Sequence, residues 1–126
     1  MNIDDLTIGQ AKELAALFSV ETVTREGIRD NGMIGKYVIV RCKDAGVHAG
    51  VLVQHAGREC VLKDSRRLWY WKPAAGKFLS AVANTGLSAN SKVGQSVERL
   101  HLTENCEIIQ CTGVAESSIR SMEADL

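Results

Sequence analysis

Tyr37-Val38-Ile39-Val40-Arg41-Cys42, then Lys43-Asp44-Ala45-Gly46, then Val47-His48-Ala49-Gly50-Val51-Leu52-Val53-Gln54, is the stretch that decides the fold. In the first segment Val38, Val40 and Cys42 fall on one face and Tyr37, Ile39 and Arg41 on the other, the two-residue period of a strand. Asp44-Ala45-Gly46 carries turn chemistry, and β-branched residues resume directly beyond it. His55-Ala56-Gly57 is the next turn, and Arg58 to Lys63 the next strand. Strands joined this tightly predict a three-stranded antiparallel meander. Arg66 to Lys72 predicts a fourth extended segment, closed by Pro73, because the residue before a proline is held out of the helical region.

On the N-terminal side, Thr7-Ile8-Gly9-Gln10 fits a capping box, and Ile8, Ala11, Leu14, Ala15 and Phe18 keep the helical period. A helix ending near Ser19 follows, and residues 20–35 read as a connector. On the C-terminal side, Phe78 to Asn84 predicts a short helix stopped by Gly86. Leu87 to Gln95 reads as a polar loop, and Val97 to Leu102 and Glu107 to Cys111 as two further strands. Thr112 can cap a last helix whose apolar face would be Val114, Ala115, Ile119 and Met122. The fold class is therefore α+β: an N-terminal helix, an antiparallel curled sheet of five to six strands, a short internal helix and a C-terminal helix. One domain over 1–126 is expected, divided into 1–19 helix, 20–35 connector, 36–111 sheet core with short helix, and 112–126 helix and tail.

The composition, 45% hydrophobic and 24% charged over 126 residues, is that of a globular chain rather than a disordered one. No apolar run approaches the roughly 18 to 20 residues of a membrane span. Met1-Asn2-Ile3-Asp4-Asp5 is acidic, the opposite of a secretory leader, so a cytoplasmic location is expected. The net charge of zero hides an asymmetry. Residues 1–30 carry −3, residues 31–101 carry +7 and residues 102–126 carry −4. A basic centre of that size suits an anionic partner, unless the acidic ends fold back onto it.

Catalytic and metal chemistry find no pattern. Cys42, Cys60, Cys106 and Cys111 contain no C-x-x-C pair, and His48, His55 and His101 are scattered, so neither a metal nor a cofactor is expected. Cys42, Cys60 and Cys106 lie in apolar or alternating stretches and read as small core residues. Gly27 and Gly32 have the interval of a phosphate loop, but Met33-Ile34 stands where Lys and Ser or Thr are required. With no nucleophile elbow and no carboxylate pair, the chain reads as a binder, not an enzyme.

The segment richest in recognition chemistry is Ser65-Arg66-Arg67-Leu68-Trp69-Tyr70-Trp71-Lys72. If extended, it sets Arg67, Trp69 and Trp71 on one face and Arg66, Leu68 and Tyr70 on the other. A guanidinium offers a planar fork to phosphate, and an indole offers a stacking face to a base. The same residues also suit a core or an oligomer interface, and these alternatives stay open. Asn84 could serve a sugar, and Arg99 could contact phosphate or form a surface pair. The candidate ligand-binding residues are thus Arg66, Arg67, Trp69, Trp71, Asn84 and Arg99.

Several runs resemble those of a family of small tailed-phage proteins. They are Thr7-Ile8-Gly9-Gln10-Ala11-Lys12-Glu13-Leu14-Ala15, Gly35-Lys36-Tyr37-Val38-Ile39-Val40-Arg41, Ala45-Gly46-Val47-His48-Ala49-Gly50, the Ser65–Lys72 segment, Leu79-Ser80-Ala81-Val82-Ala83 and Leu102-Thr103-Glu104. Glu107-Ile108-Ile109-Gln110-Cys111-Thr112 is similar to that family's E-I-I-P-C-T, with Gln110 in place of proline. The set also resembles the first-discovered class of anti-Thoeris nucleotide sponges. That resemblance implies a phage counter-defence protein of the host cytoplasm. It would bind a small anionic nucleotide ligand, glycocyclic ADP-ribose or a cyclic oligonucleotide, without cleaving it. It also implies a homo-oligomer, dimer or hexamer, and the lack of a long apolar run leaves no membrane partner expected. Nucleic acid is disfavoured as a partner because the flanks are acidic. A nucleic-acid-binding regulator and a virion or assembly protein are the alternative readings.

Overall fold

The computed structural model describes residues 31–126. The expected helix over 7–19 and most of the 20–35 connector lie outside the described residues. The order of elements is β1 (Tyr37–Cys42), β2 (Gly46–Ala56), β3 (Glu59–Tyr70), α1 (Leu79–Thr85), β4 (Lys92–Val93), β5 (Val97–Leu102), β6 (Asn105–Gln110) and α2 (Gly113–Ser121). The protein is α+β, and its described residues form a six-stranded sheet whose strand pairs are all antiparallel, and two helices.

The expected meander forms β1, β2 and β3. Its fourth extended segment is not separate, because β3 runs on from Glu59 to Tyr70. Two bulges let these long strands bend. The β2–β3 register shifts between Leu52 and Gln54 and again between Ala49 and Val51. At the second shift β3 carries an extra residue beside Asp64, whose φ of 52° is left-handed. β3 lies so close to β2 there that a Cβ on Gly50 would sit 3.0 Å from the Lys63 carbonyl oxygen. Glycine is the residue that permits this approach.

The sheet curls. The path β5-β3-β2-β1-β6 would place its two end strands about 19 Å apart if flat, at about 4.8 Å per strand. Yet only Thr103 and Glu104 separate β5 from β6, a reach of about 11 Å at most. The connector is fastened on both sides: Lys43 N–H donates to the Glu104 carbonyl at 3.1 Å, and Asn105 N–H to the Arg58 carbonyl at 2.8 Å.

Curling gives the sheet an inner and an outer face, and β1 is buried on both. Val38, Val40 and Cys42 join Leu52, Cys60, Leu62 and Leu102 in an inner core. Tyr37 and Ile39 join Ala49, Leu68, Leu79, Val82, Ala83, Leu87, Val93 and Ile119 in an outer core, which the two helices cover. The expected alternation of β1 is thus correct, and both of its faces are apolar because each meets a different layer.

α2 starts at a side-chain cap, whereas the N-terminus of α1, at Phe78, has none. The Thr112 hydroxyl oxygen accepts from the Ala115 N–H at 3.1 Å and starts α2. Ala115 and Ile119 are buried beneath it, whereas Val114 is 68% exposed and does not belong to the expected apolar face. α1 ends at Gly86. A Cβ there would stand 2.5 Å from Ser118 Cβ, and the Ser118 hydroxyl accepts from the Leu87 N–H at 2.9 Å. Small residues thus bring the end of α1 directly against α2. The expected polar loop contains β4, which extends the outer layer by pairing with the far end of β3.

Candidate functional site

The six residues named from the sequence occupy different places. Arg66 is buried at 7% exposure and points into the helix layer. Its Nε donates to the Gly94 carbonyl at 2.9 Å. Its Nη1 donates to the carbonyls of Ile119 at 2.8 Å, Met122 at 2.6 Å and Arg120 at 3.4 Å. Those last three oxygens form the electron-rich end of α2, where a helix leaves carbonyls without partners. Arg66 is a clamp holding α2 and the β4–β5 loop onto β3.

Arg67 and Trp69 alternate away from that layer. Arg67 is exposed and stands opposite His48 of β2, while Trp69 is 58% exposed. The Gly94 N–H donates to the Arg67 carbonyl at 2.7 Å and leaves the guanidinium to solvent. No described residue forms an ion pair with Arg67. Tyr70, next in the chain, is 48% exposed and faces Lys92 of β4.

Trp71 departs from the expectation that it shares one face with Arg67 and Trp69. β3 ends at Tyr70, and the chain turns so that Trp71 packs against the outer core. The turn is held by the Lys72 N–H donating to the Ser91 hydroxyl at 3.0 Å and by a bridge between Pro73 and Leu87. Asn84 is exposed on α1, within the helix layer, and its carbonyl accepts from the Thr112 hydroxyl at 3.0 Å. Arg99 is exposed on β5, directly opposite Lys63. The structure therefore keeps Arg67 and Trp69 on one face and places Arg66, Trp71, Asn84 and Arg99 away from it.

His48 closes the inner side of this face. It is 2% exposed, and its Nε2 lies 2.8 Å from the Ala45 carbonyl, which assigns the proton to Nε2. Burial lowers its pKa below the ordinary value, the Ala45 hydrogen bond opposes the shift, and the Arg67 charge adds to it. A lowered folded-state pKa means that the unfolded chain takes up the proton first as pH falls. Stability from this residue is complete above about pH 6.5 and is lost as pH drops below it. The urea midpoint should accordingly fall between pH 7 and pH 5, and His48→Gln should flatten that part of the profile. An equal pH slope in the variant would assign the effect to other groups.

Three of the four thiols, Cys42, Cys60 and Cys111, are poor nucleophiles. Burial pushes Cys60 up to about 11 and Cys111 up to about 12, and it also raises Cys42. Cys106 is exposed, not a core residue as its alternation suggested, and its thiol donates to the Arg41 carbonyl at 3.2 Å. Tyr37 is pushed up to about 12, mainly by burial, with the Arg120 guanidinium 4.7 Å from its ring centre. Among the described residues no group of three His, Cys, Asp or Glu side chains could hold a metal ion. No helix among them is long and apolar enough to cross a membrane.

A family profile described as a domain of unknown function, DUF6948, matches residues 35–119. The chain belongs to the DUF6948 family. The DUF6948 segment contains all six strands, α1 and most of α2, and so both ends of the Arg66 clamp on β3 and Ile119. Arg67, Trp69 and His48 lie within it as well. No curated protein and no solved structure matches the chain.

Proposed function

We propose that this DUF6948 protein is a stoichiometric, non-catalytic binder that sequesters a small anionic nucleotide-type signal. Glycocyclic ADP-ribose is the first candidate, and the setting is phage counter-defence in the host cytoplasm. The observation that carries the reading is Trp69, a large indole left 58% exposed two residues from the exposed cation Arg67. An indole stacks on a base whatever its sequence, and a guanidinium with no carboxylate partner among the described residues can meet a phosphate. Tyr70 and Lys92, register partners across β3 and β4, add a second exposed aromatic residue and cation at that edge of the sheet. The +7 charge of residues 31–101 would draw the ligand in. Binding residues would also come from a second copy if the protein assembles as a dimer or hexamer.

The test is titration calorimetry of the full chain against glycocyclic ADP-ribose isomers and cyclic oligonucleotides, followed by mass spectrometry of the ligand released on denaturation. One ligand should bind tightly and return intact. Absence of binding to all of them, or recovery of a cleaved product, would sink the proposal. Salt-dependent binding of single-stranded oligonucleotides alone would move the protein to the nucleic-acid class.

A further inference from the structure

A depression of about 230 Å3 opens where the β3 bulge, the β4–β5 loop and the end of α2 meet, lined by Asp64, Arg66, Ser96, Arg120 and Met122. Arg66 uses Nε and Nη1 on backbone carbonyls, and its Nη2 makes no hydrogen bond with a described residue. The Ser96 hydroxyl makes none either, and among the described residues Arg120 hydrogen-bonds as a donor only through Nε, to Glu116 at 2.8 Å, its guanidinium also lying over the Tyr37 ring. Asp64, the one carboxylate on the rim, forms no ion pair with a described residue. The depression is therefore bordered by N–H and O–H donors that lack acceptors among the described residues.

A second observation comes from the strands beside it. Lys63 and Arg99 stand directly opposite each other across β3 and β5. The alternation of β5, with Leu100 and Leu102 turned to the inner core, puts both cations on the outer face. Like charges directly opposed on a sheet repel. Elsewhere in the sheet a cross-strand cation meets an acid: on β1 and β6, Arg41 meets Glu107 at 3.3 Å. Neither Lys63 nor Arg99 has such a partner among the described residues.

We infer that this corner is a second anion site that takes a phosphoryl group. Lys63 and Arg99 supply charge, and Arg66 Nη2, Ser96 and Arg120 supply directed donors. An anion between the opposed cations would turn their repulsion into two attractive contacts, and the guanidinium edge gives the oxygens a geometric match. The site shares no residue with the Trp69 and Arg67 face, so it stands whether or not that face binds a nucleotide.

The probe is inorganic pyrophosphate, titrated into the full chain at low ionic strength with chloride matched in the control. Lys63, Arg99 and Ser96 are exposed, so the variants should keep the parent far-UV spectrum and melting temperature. The wild type should bind saturably. The double variant K63Q/R99Q should lose about tenfold or more in affinity, and S96E, which places a carboxylate in the depression, should lose about as much. Trp69→Ala should leave pyrophosphate binding unchanged. Affinity within about twofold of wild type in K63Q/R99Q or in S96E, no saturable binding by the wild type, or loss of binding in Trp69→Ala would each overturn the assignment.

Discussion

Arg66→Ala should destabilise the protein by about 3–5 kcal/mol, since a hydrogen bond from a charged group contributes about 1.5–3 kcal/mol and several are lost together. The guanidinium ties Gly94, Ile119 and Met122 to β3 at 2.6 to 2.9 Å. Removing it leaves buried carbonyls at the end of α2 without donors, which is the costly side of a broken hydrogen bond. The loss should extend beyond one helix. The chain after α2 is held to β4 by a Val93–Ala124 bridge and by the Asp125 N–H donating to the Val93 carbonyl at 2.8 Å, and both depend on α2 staying in place. Against a typical stability of about 5–15 kcal/mol, such a loss would shift the urea midpoint by a molar or more. Arg66→Lys should recover little, because an ammonium cannot reproduce a planar fork over three separate oxygens. A midpoint within about 0.5 kcal/mol of wild type, a change usual for surface substitutions, would show that α2 is held mainly by Ile119 and Ala115.

That expectation gives Arg66 a role in holding α2 that the sequence reading, which named it only as a ligand contact, did not include, and the reason is physical. The alternation of Arg66, Leu68 and Tyr70 against Arg67, Trp69 and Trp71 was legible. What lay over each face was not. A guanidinium five atoms from the backbone serves a ligand or a helix end with the same donors, and only the position of α2, over fifty residues away in the chain, decides between them. Cross-chain carbonyls leave no trace in a local pattern. The strands of the meander, α1, β5 and α2 were legible because short-range rules fix them: β-branched alternation, turn residues and the Thr112 cap. The continuity of β3 was missed because its bulge is stated by one left-handed Asp64, which sequence alone does not distinguish from a turn. Ser96 and Arg120 gave no signal of their own. The opposition of Lys63 and Arg99 became visible only with the β3–β5 register.

The two tryptophans, two residues apart, should respond in opposite ways to the same change. Trp71 is packed against the outer core, so Trp71→Ala should cost about 2 kcal/mol of stability, somewhat below the usual cost of emptying a fully buried aromatic site. Trp69 has most of its indole in solvent, so Trp69→Ala should leave the urea midpoint nearly unchanged. Its effect should appear in binding. Stacking on one base contributes about 1–3 kcal/mol, so affinity for the nucleotide should fall about 5- to 150-fold. Trp69→Phe, which keeps an aromatic face, should recover part of it, and Arg67→Gln should weaken binding without affecting stability. Size-exclusion chromatography of Trp69→Ala separates the competing use of the same surface. A variant that binds normally but elutes as a smaller species would make Trp69 an interface residue, because indoles are enriched at protein contacts for the same apolar area that favours stacking. Loss of binding with an unchanged elution volume is the result expected if the ring holds the ligand.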